Sequence, residues 1–277
     1  MNIVSTPHGD IEVRLEGGGS RTALLLYGGH TSARTRLGEA YFLERGYRVL
    51  AVSRPGYGKT PLATGATPDS FSDALSELFV HLEIASALVV GISAGGRTAM
   101  RFAALHPSLV DELVLQSSIS FARWPQRAIR LGSYVAFNPL VEGATWALVR
   151  SLLKSFPEQA LATMLGSLTT LDPRELLRRL SDLERADLVE LFSEMRSGRG
   201  FITDIKTLRA DATDVRVPTL IIHSLHDGAV SLEHPRLLAS QIQGSTLFLT
   251  EAQSHLIWFG PHHGEIEEAM DDFLSRG

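Results

Sequence analysis

The chain has 277 residues, of which 44% are hydrophobic and 21% are charged. This length suggests one large domain, or a core that carries an insertion, and the composition excludes disordered, collagen-like and coiled-coil chains. Lys and Arg number 26 against 31 Asp and Glu, a formal net charge of −5, so no basic field is available to hold nucleic acid or anionic lipid. Because the chain has no cysteine, disulfides, thiolate metal sites and cysteine nucleophiles are excluded.

The N-terminus and the hydropathy of the chain indicate a soluble, cytoplasmic protein. The first 13 residues lack both the charged leader and the apolar stretch of a signal peptide. No stretch approaches the ~20 apolar residues that span a bilayer. We therefore expect a monomer or homodimer that acts on a small-molecule substrate, with neither nucleic acid nor a membrane as partner.

Strand-like runs alternate with helical patterns over the first 120 residues. Short runs rich in Leu, Val and Ile between Gly and Pro residues, separated by helical periodicity, are typical of βαβ units and a mostly parallel sheet. The strand pattern returns towards the C-terminus, so the sequence predicts an α/β protein. The predicted strands cover residues 3–5, 11–16, 22–27, 48–53, 87–91, 113–117, 217–223 and 245–250.

Helices are predicted between these strands. After Thr67 and Pro68, apolar residues recur at three- and four-residue steps, and proline suits the first turn of a helix. Further helices are predicted at residues 94–105 and 264–274. Three glycines at residues 17–19 precede no helix, so they predict a hairpin loop and not a dinucleotide-binding turn, and no nicotinamide or flavin is expected.

The alternation stops after the sixth strand. From residue 120 to residue 209 the sequence has only helical patterns rich in Leu, Ala and Arg. The predicted organisation is therefore a core formed by residues 1–119 and 210–277, with residues 120–209 inserted as a helical lobe. Six aromatic residues of this lobe could line a pocket above Ser93, but most of them are expected to form the lobe's own core: Phe121, Trp124, Tyr134, Phe137, Trp146 and Phe156.

One pentapeptide gives the first indication of chemistry. Residues 91–95 read Gly-Ile-Ser-Ala-Gly and match G-x-S-x-G between a predicted buried strand and a predicted helix. In that context a strained turn lifts the serine hydroxyl above the sheet, and small neighbours leave room for it. The string alone occurs by chance in glycine-rich chains, but its position makes Ser93 a candidate nucleophile.

A serine hydroxyl needs a base within hydrogen-bond reach, and that base needs an orienting carboxylate. His255 follows the last predicted strand and Asp227 follows the strand before it. Both therefore belong to the carboxyl edge of the sheet, where Ser93 also lies. Competing acids either precede the penultimate strand or stand too near His255 in sequence: Asp204, Asp211, Asp214 and Glu251.

With candidates in the order Ser, Asp, His, the chain resembles the α/β-hydrolase superfamily over essentially its whole length. The resemblance implies an eight-stranded, mostly parallel sheet flanked by helices, with a helical cap inserted at residues 120–209. It also implies roles for three side chains. Ser93 resembles the nucleophile, Asp227 the acid and His255 the base.

Two further segments resemble the family. Residues 27–30, Tyr-Gly-Gly-His, resemble its HG segment, which implies that the backbone N–H groups of Gly29 and Ala94 form the oxyanion hole. Tyr27 stands where the family usually has histidine. Residues 53–60 resemble the family's D-R-P-G-x-G-x-S loop, with serine and threonine at its ends, and are interpreted as a rigid turn beside the site.

The histidines offer a metal site as an alternative. His223 and His226 form an H-x-x-H pattern beside Asp227, and residues 262–263 are both histidine. On a strand end and a loop, this spacing does not place two imidazoles on one helical face. Serine chemistry is therefore favoured, neither a metal nor a cofactor is expected, and the remaining histidines, His30 among them, are assigned no role.

The resemblance implies a serine hydrolase that cleaves a small-molecule carboxylic ester, lactone or thioester through an acyl-enzyme. The same triad on this fold also supports carbon–carbon bond hydrolysis, amide cleavage and cofactor-free perhydrolase chemistry, which the fold does not separate. Epoxide and haloalkane hydrolysis would require aspartate where Ser93 stands. An alternative of another class is a small-molecule receptor that retains vestigial hydrolysis.

Overall fold

Strands and helices of the computed structural model follow the predicted alternation. The structure describes residues 1–125, 127–207 and 211–276, without the side chains of residues 127–129. Its strands are β1 (Asn2–Thr6), β2 (Gly9–Glu16), β3 (Thr22–Leu26), β4 (Arg48–Val52), β5 (Ala87–Ile92), β6 (Val110–Gln116), β7 (Thr219–Ser224) and β8 (Thr246–Thr250). Its helices are α1 (Ala40–Glu44), α2 (Pro68–His81), α3 (Gly95–Leu105), α4 (Arg127–Ala136), α5 (Glu142–Ser155), α6 (Pro157–Leu165), α7 (Pro173–Arg179), α8 (Asp182–Glu194), α9 (Gly200–Lys206), α10 (Glu233–Gln241) and α11 (His263–Leu274).

The strands form one eight-stranded sheet in the order β1-β2-β4-β3-β5-β6-β7-β8. β2 pairs antiparallel with both β1 and β4. All the other neighbouring pairs are parallel, so β3 and the strands β4 to β8 run in the same direction. The carboxyl ends of the parallel strands consequently meet at one edge. The predicted mostly parallel sheet with flanking helices is confirmed.

The glycines at residues 17–19 do not form a hairpin loop, so that prediction was wrong. They connect β2 to β3, and β4 lies between those two strands in the sheet. A Cβ atom on Gly19 would lie 1.7 Å from the carbonyl oxygen of Gly46, so the backbone passes the turn before β4 too closely for a side chain. Consecutive strands in a sequence are often neighbours in a sheet, but not always.

Both faces of the sheet are covered by apolar side chains. Leu24 and Leu26 pack in the cluster that includes residues of α2 and α3. Leu25 points to the opposite face, into the cluster with residues of α1 and α11. Each fully buried leucine contributes roughly 2 kcal/mol of transfer free energy. Burial on both faces explains why these strands appear in the sequence as continuous apolar runs.

Helix α2 begins at the residue that its sequence predicts. Thr67 Oγ1 accepts a hydrogen bond from the N–H of Ser70 at 3.1 Å, and Ser70 Oγ accepts one from the N–H of Thr67 at 3.1 Å. This reciprocal pair satisfies two N–H groups that a helix start leaves free. Pro68, at the first helical position, has no N–H to satisfy.

The helices α4 to α9 occupy the interval between β6 and β7. The predicted boundary between residues 209 and 210 lies outside the described residues, so the division into core and cap stays a prediction. Trp124 and Trp146 are buried, whereas Phe156 is 59% exposed and does not belong to a core. No helix within the described ranges is both long and apolar enough to cross a membrane.

His234, in α10, fastens that helix to the segment that follows β6. Its Nδ1 accepts a hydrogen bond from the N–H of Ser120 at 3.0 Å and lies 2.8 Å from Ser120 Oγ. The side chain is buried, and burial together with the nearby positive charge of Arg97 lowers the pKa of His234 to about 4. The imidazole is therefore neutral in the folded protein at neutral pH.

This buried imidazole should make the protein less stable in mild acid. Between pH ~6.5 and ~4 the unfolded chain binds a proton at His234 and the folded chain does not, so the free energy of unfolding falls as the pH falls. In His234→Gln the loss between pH 7 and pH 5 should be smaller by about 2 kcal/mol. Urea denaturation at both pH values measures this, with exposed His8→Gln as the control; equal losses in wild type and His234→Gln would contradict it.

Candidate active site

Ser93 lies in the tight turn between β5 and α3. Its φ is 51°, in the left-handed region that few residues other than glycine adopt. The turn is held from both sides, because the N–H of Ser93 donates to Gln116 O at 3.0 Å and its carbonyl accepts from the N–H of Gly96 and of Ile119, each at 3.1 Å. Strain that the surroundings maintain in this way is typical of functional positions.

Glycines allow the elements around this turn to approach each other closely. A Cβ on Gly95 would lie 2.0 Å from the carbonyl oxygen of Leu26, so α3 could not pack against β3 with any side chain there. A Cβ on Gly28 would lie 2.8 Å from Ser93 Cβ and 3.4 Å from Ser93 Oγ. The segment after β3 therefore lies directly against the Ser93 side chain.

Asp227 and His255 meet at the carboxyl edge. His255 Nδ1 lies 2.7 Å from Asp227 Oδ2, and both side chains are buried. Asp227 Oδ1 accepts hydrogen bonds from the N–H groups of Ala229 and Val230, both at 2.8 Å. With the carboxylate as acceptor, Nδ1 carries the proton and Nε2 is the atom left to accept one.

A single carbonyl oxygen connects the loops that carry these two residues. Leu168 O, between α6 and α7, accepts a hydrogen bond from the N–H of His255 at 2.7 Å and from the N–H of Gly228 at 3.1 Å. The neighbouring Thr169 pairs with Asp227 in an isolated antiparallel bridge, and its Oγ1 donates to Gln253 O at 2.5 Å. The segment between β6 and β7 thus holds the Asp227 loop and the His255 loop next to each other.

The structure brings Asp227 and His255 together but leaves Ser93 separate from them. Within the described part of the chain, no hydrogen bond joins Ser93 Oγ to His255. The end of β6 connects Ser93 to the His255 loop. Gln116 O accepts a hydrogen bond from the N–H of Ser93, and the next residue, Ser117, donates through Oγ to His255 O at 2.8 Å. Catalytic hydrogen bonds in enzymes without substrate are often long and tighten on binding.

The segment after β3 is held by Arg54. The Arg54 guanidinium donates to Tyr27 O at 2.7 Å and to Gly28 O at 3.0 Å. With those carbonyls facing Arg54, the N–H groups of Gly29 and Ala94 have no acceptor among the residues whose placement is described. N–H groups without acceptors are suited to hold a developing negative charge where they point to the same place.

Tyr27 packs and does not enter the site. Its side chain is buried in the core cluster on the α1 side of the sheet, and its hydroxyl donates to Glu39 Oε2 at 2.8 Å. Glu39 in turn pairs with Arg36 at 2.9 Å and with Arg14. The residue that replaces the usual histidine therefore anchors the loop that follows it, through a buried hydroxyl.

The competing acids have other partners. Asp204 forms a bidentate pair with Arg54, both contacts at 2.7 Å, and accepts from Tyr57 Oη at 2.6 Å. Glu251 lies 3.0 Å from His226 Nε2, and Asp211 accepts from Thr213 N at 3.1 Å. These contacts give Asp204 a structural role and leave the surface carboxylates away from His255.

His223 is also occupied. Its Nε2 lies 3.0 Å from Val230 O, to which it donates, and 3.5 Å from Asp227 Oδ2. Burial lowers the pKa of His223, so it remains neutral beside the carboxylate. Within the described ranges, no group of three or more His, Asp or Glu side chains is arranged to hold a metal ion.

Comparison with known proteins identifies the family. Residues 24–260 match the family model for the alpha/beta hydrolase fold. The chain belongs to this family. It is 31% identical over 281 residues to the uncharacterized hydrolase YcgS of Bacillus subtilis, covering 99% of this chain and 98% of that protein. An α/β-hydrolase fold protein from Nakamurella multipartita matches with a TM-score of 0.83 and 26% identity, over 99% and 98% of the two chains.

Relatives of this hydrolase with named activities fall into two groups. A 2-hydroxy-6-oxononadienedioate/2-hydroxy-6-oxononatrienedioate hydrolase of Cupriavidus pinatubonensis is 29% identical, over 99% of this chain and 95% of that protein. A pimeloyl-[acyl-carrier protein] methyl ester esterase of Aromatoleum aromaticum is 29% identical, over 74% of this chain and 79% of that protein. The chain is thus a hydrolase by family, and the bond it cleaves is a separate question.

Sequence reasoning missed two features of this hydrolase's site. The Arg54–Asp204 pair joins residues 150 positions apart, and only the Arg-Pro-Gly turn hinted at a role for Arg54. His30, which follows Gly29 directly, has its ring 3.8 Å from that of Phe201 and its Nδ1 2.8 Å from Ser197 Oγ. Its position beside the HG-like segment was the only signal in the sequence.

Removing Asp204 should destabilise the hydrolase strongly. Asp204→Ala leaves the buried Arg54 guanidinium without its carboxylate, which costs about 3–5 kcal/mol of unfolding free energy. Asp214→Ala removes an exposed carboxylate and should change the stability by less than about 0.5 kcal/mol. Urea denaturation of both variants checks this; a loss in Asp204→Ala no larger than in Asp214→Ala would show that Arg54 does not need its partner.

Proposed function

We propose that this hydrolase cleaves neutral carboxylic esters of small molecules, with lactones and thioesters in the same class, through an acyl-enzyme on Ser93. His255 is the general base and Asp227 orients it. The backbone N–H groups of Gly29 and Ala94 form the oxyanion hole. The helices α4 to α9 form the cap over this site, and no metal or cofactor takes part.

The observation that carries this proposal is the buried hydrogen bond of 2.7 Å between His255 Nδ1 and Asp227 Oδ2. It joins two loops at the edge where Ser93 is held in a strained turn. A carboxylate that fixes Nδ1–H leaves Nε2 as a base and stabilises the imidazolium that forms. A structural aspartate would need neither this tautomer nor a strained serine beside it.

The reaction follows from these positions. His255 Nε2 takes the proton of Ser93 Oγ, and the oxygen attacks the ester carbonyl while the two N–H groups receive the oxyanion. The tetrahedral intermediate collapses, the ester C–O bond breaks, and His255 returns the proton to the departing alcohol. Water, deprotonated by His255, then hydrolyses the acyl-enzyme and restores Ser93. The hydrogen bond between Ser93 Oγ and His255 Nε2 forms when substrate fills the site.

Two observations favour a neutral substrate. Ala94 belongs to a buried cluster of apolar and aromatic side chains: Tyr57, Ile119, Trp124, Phe201, Ile205 and Val230. Two buried arginines near Ala94 already have partners, since Arg54 pairs with Asp204 and Arg97 donates to four backbone carbonyls. A substrate carboxylate buried here would lack a counter-ion, which is costly.

The decisive test is covalent labelling of Ser93. Wild-type protein incubated with a fluorophosphonate should gain one adduct by intact-mass analysis, and Ser93→Ala should gain none because the nucleophile is gone. Turnover of p-nitrophenyl butyrate should fall by about 10⁴-fold in Ser93→Ala. Ser240→Ala, an exposed serine on α10, serves as control and should match wild type. Adduct formation without ester turnover would favour the receptor alternative, and an adduct on Ser93→Ala would reject the assignment.

Carbon–carbon bond hydrolysis is the second candidate, favoured by the full-length similarity to the dienedioate hydrolase. That relative's substrate is a dicarboxylate by its name, whereas Arg54 is paired with Asp204 and Arg97 is bonded to backbone carbonyls in this chain. We therefore expect kcat/KM for p-nitrophenyl butyrate to exceed that for 2-hydroxy-6-oxononadienedioate by about 100-fold or more. Parallel assays with Ser93→Ala correct for background hydrolysis, and the reverse order of the two values would favour carbon–carbon cleavage.

A further inference from the structure

His30 lies between the oxyanion segment and the inserted helices. It follows Gly29, and its φ of 65° is in the left-handed region. Its ring centroid lies 3.8 Å from that of Phe201, 4.6 Å from Phe137 and 5.1 Å from Trp146. His30 thus combines an uncommon backbone conformation with a ring packed against three aromatic rings, next to a candidate oxyanion donor. Such conformations are often kept at functional positions.

A chain of hydrogen bonds fixes which nitrogen of His30 carries the proton. Trp146 Nε1–H, which can only donate, donates to Ser197 Oγ at 2.8 Å, and Ser197 Oγ lies 2.8 Å from His30 Nδ1. Ser197 is fully buried, and no other acceptor for its hydroxyl proton exists among the described residues. If Nδ1 were protonated, that hydroxyl proton would be buried without a partner, at a cost of about 1–3 kcal/mol. Ser197 therefore donates to Nδ1, and Nε2 carries the imidazole proton.

The Nε2–H group of His30 is left to meet a ligand. Within the described part of the chain it has no acceptor. Burial of the imidazole lowers the pKa of His30 to about 3, so the ring stays neutral at neutral pH, and the hydrogen bond with Ser197 keeps this tautomer. The group is a fixed donor, oriented by Ser197 and Trp146 from the opposite side of the ring.

The location of this donor restricts what it can contact. Gly28, two residues earlier, lies against Ser93, with its Cβ position 3.4 Å from Ser93 Oγ. Phe201, which stacks on the His30 ring, belongs to the same apolar cluster as Ala94. A residue next to the oxyanion donor in the chain has its Cα ~3.8 Å away. The imidazole therefore lies close to the segment that contacts Ser93 and packs on the cluster that contains Ala94.

We propose that His30 is a substrate-binding residue whose Nε2–H donates a hydrogen bond to a second oxygen of the substrate, next to the scissile carbonyl. This deepens and rests on the proposed ester hydrolysis. It assigns the substrate to esters of 2-oxygenated acids, such as 2-alkoxy, 2-hydroxy or 2-oxo esters. A plain alkyl chain in that place would leave the donor unsatisfied in an apolar site, and sites built around such a donor discriminate against substrates that lack the acceptor.

The test compares two esters that differ in one atom. p-Nitrophenyl methoxyacetate and p-nitrophenyl butyrate have the same number of heavy atoms, with an ether oxygen in one where the other has a methylene. The ratio of their kcat/KM values should fall about tenfold in His30→Phe relative to wild type, and less in His30→Gln, which retains an N–H donor. Comparing ratios between variants cancels the different intrinsic reactivity of the two esters.

Ser197→Ala tests the hydrogen-bond chain without changing any group that meets substrate. It leaves His30 Nδ1 without its donor, so both tautomers become populated and the ratio should fall part of the way towards that of His30→Phe. The ¹⁵N spectrum of wild-type His30 should show an unprotonated Nδ1 and a protonated Nε2. His8→Phe, an exposed histidine in the β1–β2 turn, should leave the ratio unchanged.

The outcomes separate this inference from the proposed function. If His30→Phe lowers kcat/KM for both esters equally, His30 only packs, and the inference fails while ester hydrolysis stands. A protonated Nδ1 in the ¹⁵N spectrum also overturns it. If wild-type protein hydrolyses neither ester and Ser93 takes no fluorophosphonate, the proposed function fails first, and the specificity role of His30 fails with it.

Discussion

The close approach of α3 to β3 is the constraint on which the candidate site depends. With only 2.0 Å between a Cβ at Gly95 and the carbonyl oxygen of Leu26, the turn before α3 has no room to relax, and Ser93 is held at positive φ. Gly28 lies directly against the Ser93 side chain in the same region. The position and strain of Ser93 are therefore products of packing between a helix and a strand, at a cost that the buried sheet can support.

Two arginine side chains hold the loops around that turn in place. A guanidinium offers five donors in a rigid plane, so one side chain can satisfy several carbonyls that secondary structure leaves free. Arg54 is neutralised by Asp204, whereas Arg97 is held by carbonyl dipoles, and burial lowers its pKa to about 10, which leaves it charged at neutral pH. Together they connect three segments by binding the carbonyls of Tyr27, Gly28, Ser120, Ala122, Asp204 and Thr207.

The sheet could be predicted from the sequence because strands buried on both faces leave long apolar runs, and the edge that gathers Ser93, Asp227 and His255 follows from parallel strand direction. Strand order could not, which is why the glycines at residues 17–19 suggested a hairpin. Contacts between distant segments were also beyond reach. Nothing local distinguishes Asp204, bonded to a residue 150 positions away, from a solvated aspartate, and the surroundings of His30 come from three separate elements.

The carbonyl of Leu168 accepts hydrogen bonds from N–H groups of both the Asp227 and the His255 loops. This double contact restricts which changes of sequence and length the segment between β6 and β7 can accept. The segment between β6 and β7 helps to keep Asp227 and His255 together, so its removal would also separate these two side chains. Any segment substituted for the helices between β6 and β7 would need to reproduce the backbone path at residues 168–170 to preserve that contact. The helices on either side can change in sequence without breaking this contact. Residues 168–170 cannot, because they hold the Asp227 and His255 loops.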